Sequence, residues 1–128
     1  PANIKIGLRI HEGLRAKIDP LMMMRVLTNL IMNAVQAMPE GGCLEVEAFG
    51  SGGLLTIKVT DTGRGISKEV ADTIFIPLRS HKSKGMGMGL PVAKRMVEAH
   101  NGTITYKTAE GRGTTFIIEI PQEHVVKT

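Results

Sequence analysis

Asn29 and Asn33 stand one helical turn apart in this 128-residue chain, and Gln36 falls on the same side. Asparagine is a poor helix-interior residue because its side chain competes for backbone groups. A helix needing only solubility is better served by Glu or Lys. A pair of amides at this spacing therefore points to a polar task. An amide oxygen ligates a hard cation, and an amide hydrogen-bonds phosphate or bound water. Three glycine-bearing stretches follow: Asp61-Thr62-Gly63-Arg64-Gly65, Gly85-Met86-Gly87-Met88-Gly89-Leu90 and Gly111-Arg112-Gly113-Thr114. A carboxylate at a strand end, beside backbone that can approach closely, accepts from an amino group on a planar ring, and Asp61 has that setting. Gly85, Gly87 and Gly89 leave room for phosphate, and the helix behind them begins with unpaired N–H groups. This stretch is not a Walker loop, since Gly-Lys-Ser/Thr is missing. It is not a dinucleotide fingerprint either, since it does not open the first βαβ unit of a parallel sheet. Taken singly, each stretch also has a plain structural reading: a buried Asn pair, an Asp-Thr-Gly turn, a hairpin turn at 111–113.

The elements that must position these residues are legible from periodicity. Residues 21–38 make the best helix, with Asp19 at the N-cap and Pro20 in the first helical position. Pro39, Gly41 and Gly42 close it. Leu27, Leu30, Ile31, Ala34, Val35 and Met38 form its apolar face, opposite the amides. Residues 3–11 alternate, with Ile4, Ile6, Leu8 and Ile10 on one face, which predicts a half-buried strand. Residues 12–18 form a link or a short second strand around 15–18. Leu44, Val46 and Ala48 alternate with Glu45 and Glu47, and 54–60 alternates through Leu55, Ile57 and Val59. With a turn at 50–53 they make a hairpin. A short helix is expected over 67–74, with Ser67 as cap and Val70, Ala71 and Ile74 inward. A polar loop covers 79–88, and a helix runs over 89–100 with Pro91 in its first turn and Asn101-Gly102 as terminator. Strands at 103–108 and 114–120 complete the pattern; Pro121 stops the last one, and the final seven residues fray. The fold class is a two-layer α/β sandwich, a mixed sheet of about five strands packed on three helices.

Length and composition indicate one domain able to bury a core. The net charge of +4 suits an anionic ligand. One Tyr, no Trp and no basic stripe argue against nucleic acid as the ligand. The single Cys43 excludes an intrachain disulfide and a cysteine-built zinc site, and is expected as a small buried hydrophobe at a strand start. The eight methionines lie mostly on helices, where core filling accounts for them. No stretch of the given sequence has the length of a membrane-spanning helix, and none reads as a signal peptide. The chain opens on Pro1 and reads as an excised piece.

In this order, behind an Asn-x-x-x-Asn helix, the glycine stretches resemble the nucleotide-binding boxes of the ATPase superfamily that includes gyrase, Hsp90, MutL and the sensor histidine kinases. In particular they resemble the catalytic, ATP-binding domain of a two-component sensor histidine kinase, across essentially the whole chain. The resemblance implies a Bergerat-type fold, with ATP and Mg2+ as ligands. It implies that Asp61 hydrogen-bonds the adenine amino group, helped by an ordered water, beside Gly63 and Gly65. It implies that the Asn33 amide oxygen holds Mg2+. Asn29 stands where hydrolysing relatives carry a glutamate that activates water. An amide is no general base, so Asn29 favours transfer to a protein histidine. Gln36 departs from the Lys, His or Arg common in histidine kinases there, and bonds phosphate more weakly. Phe75 and Pro77 match a phenylalanine box anchoring a lid at 79–84, in which Lys82 approaches the phosphates and Arg79 and Lys84 are weaker candidates. Leu90 packs below the glycines, and Thr114 reaches adenine or its water. Catalytic roles thus fall to Asn29, Asn33 and Lys82.

His81 lacks the helical context of a phosphoacceptor, so the dimerisation and phosphoacceptor domain is expected upstream, outside this chain. The implied partners are that histidine domain in a homodimeric parent and a downstream response regulator, with no nucleic acid; the fragment itself is expected to be monomeric. The domain is expected in the cytoplasm, with the parent membrane-attached or soluble. Alternatives are a serine kinase of the anti-sigma type, an ATP-gated dimerising ATPase, or a degenerate nucleotide-binding scaffold.

Overall fold

The computed structural model describes residues 3–14, 16–76 and 89–122. Among them, the long helix α1 (Pro20–Gln36) begins as its sequence dictates. The Asp19 carboxylate accepts from the backbone N–H groups of Leu21 and Met22 at 3.0 and 3.1 Å, and Pro20 is the first helical residue. The other helices are α2 (Lys68–Ala71) and α3 (Gly89–Ala99). Helix α3 ends in a Schellman arrangement: Asn101 takes φ 62°, its N–H bonds the Glu98 carbonyl, and the Gly102 N–H bonds that of Val97.

The strands are β1 (Ile4–Ile10), β2 (Gly42–Ser51), β3 (Leu54–Asp61), β4 (Thr103–Ala109) and β5 (Gly113–Pro121). They form one mixed sheet in the order β1-β2-β3-β5-β4; only the β1–β2 pair is parallel. The β2–β3 hairpin closes through Gly52 and Gly53, both at positive φ, so the turn twists with its strands. Strand β5 carries Pro121 as its last residue, paired with Leu54, and Gln122 still donates to the Gly53 carbonyl. Residues 123–128 lie outside the described residues.

The core lies between the sheet and α1 with α3. Leu44, Val59, Phe116, Ile118, Ile120 and Ile104 face Met23, Val26, Leu30, Ala34, Ala93 and Val97. The face of α1 directed at the core is thus rotated from the one expected. Met23 and Val26 are fully buried, whereas Leu27, Ile31 and Val35 are only half-buried. Asn33 sits at the edge of the buried stripe rather than opposite it, because α3 packs against that flank of α1.

Three further expectations are corrected. Ile6, Leu8 and Ile10 are 67, 68 and 61% exposed, so the apolar side of β1 is not buried. They share a face with their partners Leu44, Val46 and Ala48, the face on which the helices lie. However, α1 packs over β3 and α3 over β4. Helices about 10 Å wide lying on strands about 4.8 Å apart cover roughly four strands between two of them, and edge strand β1 lies beyond that cover. Second, Cys43 is exposed, because Leu44 takes the helix side and its neighbour must point to the open side. Third, α2 is a single turn. The Ser67 backbone carbonyl, not its hydroxyl, receives the N–H groups of Val70 and Ala71, while Val70 is exposed and Ile74 is buried. The chain turns at Asp72–Phe75, which brings Ile74 to the core in place of Val70. Of the two readings of the segment after β1, the described residues bear out the link: 16–19 form no strand and lead into α1, with Ala16 against the core. No helix among the described residues is long and apolar enough to cross a membrane.

Candidate functional site

The cleft that gathers the predicted polar residues lies between the C-terminal half of α1, the loop after β3 and the start of β5. Its volume is about 120 Å³, and Asn33, Gln36, Asp61, Gly65 and Thr114 all line it. A larger cleft of about 370 Å³ lies between α2 and the β4–β5 turn. None of its lining residues is a buried polar group, so it offers no comparable chemistry.

Asp61 ends β3 and is 6% exposed. Its carboxylate accepts from the Gly63 N–H at 2.8 Å. Burial pushes its carboxyl above the ordinary value of 3.8, while the backbone N–H groups of Gly63 and Thr114 pull it back. A buried carboxylate with spare lone pairs and no cationic partner among the described residues is an acceptor waiting for a donor. Glycine is required beside it. A Cβ on Gly63 would strike the Ala37 carbonyl, and one on Gly65, which sits at φ 72°, would strike the Ala109 carbonyl. The loop is wedged between the end of α1 and the β4–β5 turn, and only bare backbone fits.

Asn33 is buried, and its Nδ2 has no hydrogen-bond partner among the described residues. An orphaned amide N–H is costly unless a ligand completes it. Turning the amide over exchanges N for O, so this side chain can meet a phosphate as donor or a cation as ligand. No group of three His, Cys, Asp or Glu able to hold a metal exists among the described residues. Mg2+ keeps its waters and takes few protein oxygens when phosphates supply the rest; the buried amide of Asn33 fits such a role.

Asn29 has a different occupation. Its Nδ2 donates to the carbonyl of Gly89, the first residue of α3, at 3.1 Å. It ties the two helices together beside the cleft. Gln36 is exposed at the rim. Thr114 is buried, with its hydroxyl 2.8 Å from that of Thr108, which also accepts from the Ile66 N–H at 2.9 Å. Leu90 is fully buried in the core, and Phe75 is half-buried in a cluster with Tyr106 and Phe116. Gly89 is described; Pro77, Arg79, Lys82, Lys84, Gly85 and Gly87 lie outside the described residues.

Two site residues escaped the sequence reading. Thr108 shares a face with Ile104 and Tyr106 in β4, and strand alternation alone would have placed it there. Arg64 sits between the two glycines of the loop and lines the cleft itself, which Thr108 adjoins through its contact with Thr114; nothing in the spacing of Arg64 announced that.

Comparisons with known proteins agree with this geometry. Residues 18–124 match the family model described as histidine kinase-, DNA gyrase B-, and HSP90-like ATPase. The chain is 43% identical over 103 residues to the sensor histidine kinase ZraS of Escherichia coli K12, covering 80% of this chain and 22% of ZraS. It is 42% identical over 107 residues to the C4-dicarboxylate transport sensor protein DctS of Rhodobacter capsulatus, covering 80% of this chain and 16% of DctS. The chain thus spans about a fifth of the length of these curated relatives. Among solved structures, the catalytic domain of histidine kinase ThkA superposes with a TM-score of 0.83 at 31% identity, covering 94% of this chain and 80% of that one. Full-length ShkA in complex with AMPPNP superposes with a TM-score of 0.84 at 25% identity, covering 97% of this chain and 27% of that one. By its sequence, its sheet order and the residues gathered in its cleft, the chain belongs to the histidine kinase-, DNA gyrase B- and HSP90-like ATPase family, within which it matches the catalytic domains of histidine kinases.

Proposed function

We infer that this domain binds Mg-ATP and donates the γ-phosphoryl group to a histidine on a separate phosphoacceptor domain of its parent kinase. The observation that carries this is the pairing, in one cleft, of a buried carboxylate with lone pairs to spare at Asp61 and a buried amide at Asn33 whose Nδ2 has no partner among the described residues. Asp61 accepts from the adenine amino group and rejects guanine, which presents an oxygen there. Thr114 and Thr108 supply hydroxyls beside it for a bridging water. Asn33 faces the phosphates, and Mg2+, when bound through its amide oxygen, neutralises phosphate charge.

Asn29 is a positioning residue: it holds the first residue of α3, and hence that helix's N–H groups, against α1. An amide engaged in this way activates no water, which favours transfer over hydrolysis. The acceptor is an imidazole nitrogen, nucleophilic when unprotonated. A P–N bond forms there as the bond to ADP breaks. The parent would present that histidine from a dimeric domain and pass the phosphoryl group to a response regulator. A domain that consumes ATP belongs in the cytoplasm. Lys82 is assigned to the phosphates on the family resemblance alone.

The test is calorimetric titration with ATP, ADP and GTP, with and without Mg2+, followed by phosphorylation of an added phosphoacceptor domain. Adenine nucleotides should bind and GTP should not. Asp61→Asn should abolish binding, and Asn33→Ala should remove its Mg2+ dependence. Wild type that binds no adenine nucleotide, or binds and labels no histidine while releasing phosphate steadily, would overturn the assignment.

A further inference from the structure

We propose that Arg64 is the cation that holds the charged end of the ligand at the mouth of the cleft, supplying from the loop after β3 the charge that α1 lacks at Gln36. The inference rests on the nucleotide-binding reading above and adds to it a residue and a division of labour. Arg64 is fastened on both sides through its backbone. Its N–H donates to the Ala37 carbonyl at 3.1 Å, and its carbonyl accepts from the Gly111 N–H at 2.6 Å. Its guanidinium donates through Nη2 to the Gln36 carbonyl at 3.1 Å, at the C-terminal end of α1. A guanidinium has several further N–H donors in a planar fork suited to phosphate oxygens.

No carboxylate among the described residues claims those donors. The ion pair found among the described residues is Lys94–Glu98, on the exposed side of α3. Asp61 lies close in sequence, yet it forms no ion pair with Arg64. The cleft is therefore polarised from floor to rim. A buried acceptor stands at the bottom, and an exposed, anchored, uncompensated cation stands at the edge. A ligand that places a ring amine on Asp61 must keep its anionic groups towards solvent, because burying them unpaired is prohibitive. That is the side on which Arg64 sits.

A simpler role exists for the same contact: Arg64 could serve only to satisfy a terminal carbonyl of α1. The two roles separate on ligand charge. ADP and adenosine would be titrated into wild type, Arg64→Gln, Arg64→Lys and Arg64→Gln/Gln36→Lys. Glutamine keeps an N–H for the Gln36 carbonyl but removes the charge. The expected result is that ADP weakens about tenfold in Arg64→Gln, the worth of one charge-assisted hydrogen bond, with adenosine unchanged. Arg64→Lys should fall between the two, and Gln36→Lys should recover most of the loss. Equal weakening of ADP and adenosine, or no change in either, overturns the proposal while leaving the nucleotide site standing. A wild type that binds neither ligand removes both. Should Arg64→Gln prove unfolded by circular dichroism, Arg64→Lys against wild type carries the same comparison.

Discussion

At the scale of the residue, the cleft is built from groups that would be poor choices for stability alone. Asp61 is a carboxylate whose ionisation opposes folding: its folded-state value lies above the ordinary 3.8 because burial outweighs two backbone N–H groups. A group raised in this way contributes most below its unfolded value, and that contribution is lost as pH climbs through the folded one. Without ligand, Asp61→Asn should therefore be at least as stable as wild type in urea melts, with an advantage that grows as pH rises from below 3.8, while adenine binding disappears. Loss of stability at neutral pH in that variant would contradict the assignment. Gly65 makes the opposite case. At φ 72°, with the Ala109 backbone against it, Gly65→Ala should destabilise the domain by about 1–3 kcal/mol by the same measurement. Both glycines of the loop were legible from the sequence as punctuation; that one presses on α1 and the other on the β4–β5 turn depends on contacts between distant segments.

At the scale of the element, helix α1 is held by its two ends and by its neighbour. Asp19 caps it, and the same residue's backbone N–H donates to Nε2 of His100 at 2.9 Å. Nδ1 of His100 lies 2.7 Å from the Met96 carbonyl, so with Nε2 accepting, Nδ1 is the nitrogen placed to donate. The start of α1 is thereby hooked to the end of α3, as Asn29 hooks its middle to the start of α3. Asp19→Ala should cost about 1 kcal/mol in chemical denaturation, the usual worth of an N-cap. Asn29→Ala should alter stability modestly but increase hydrogen exchange at the first turn of α3, where its amide holds the Gly89 carbonyl. The cap was legible, because Asp-Pro before an apolar run signals it directly. The histidine hook was not, since it joins residues far apart in sequence.

At the scale of the whole molecule, the helix layer decides which parts of the sheet matter for stability. Ile118 is fully buried under α1 and α3, whereas Leu8 stands on a strand that no described helix covers. Ile118→Ala should cost about 2–5 kcal/mol. Leu8→Ser should fall within about 0.5 kcal/mol of wild type, although hydrophobicity alone ranks the two alike; urea melts of both settle it. The sequence by itself determined the elements: helix caps, strand alternation, glycine turns and the order of the polar boxes, each set by residues a few positions apart. Only the tertiary structure decided that α1 turns Asn33 into the margin of the core, that β1 lies beyond the helices' cover while Cys43 points to the open side, and that Arg64 stands exposed at the cleft that Asp61 lines. Burial and pairing are properties of neighbours, and a chain's neighbours are chosen when two helices and five strands settle into layers, not by the spacing of residues along any one of them.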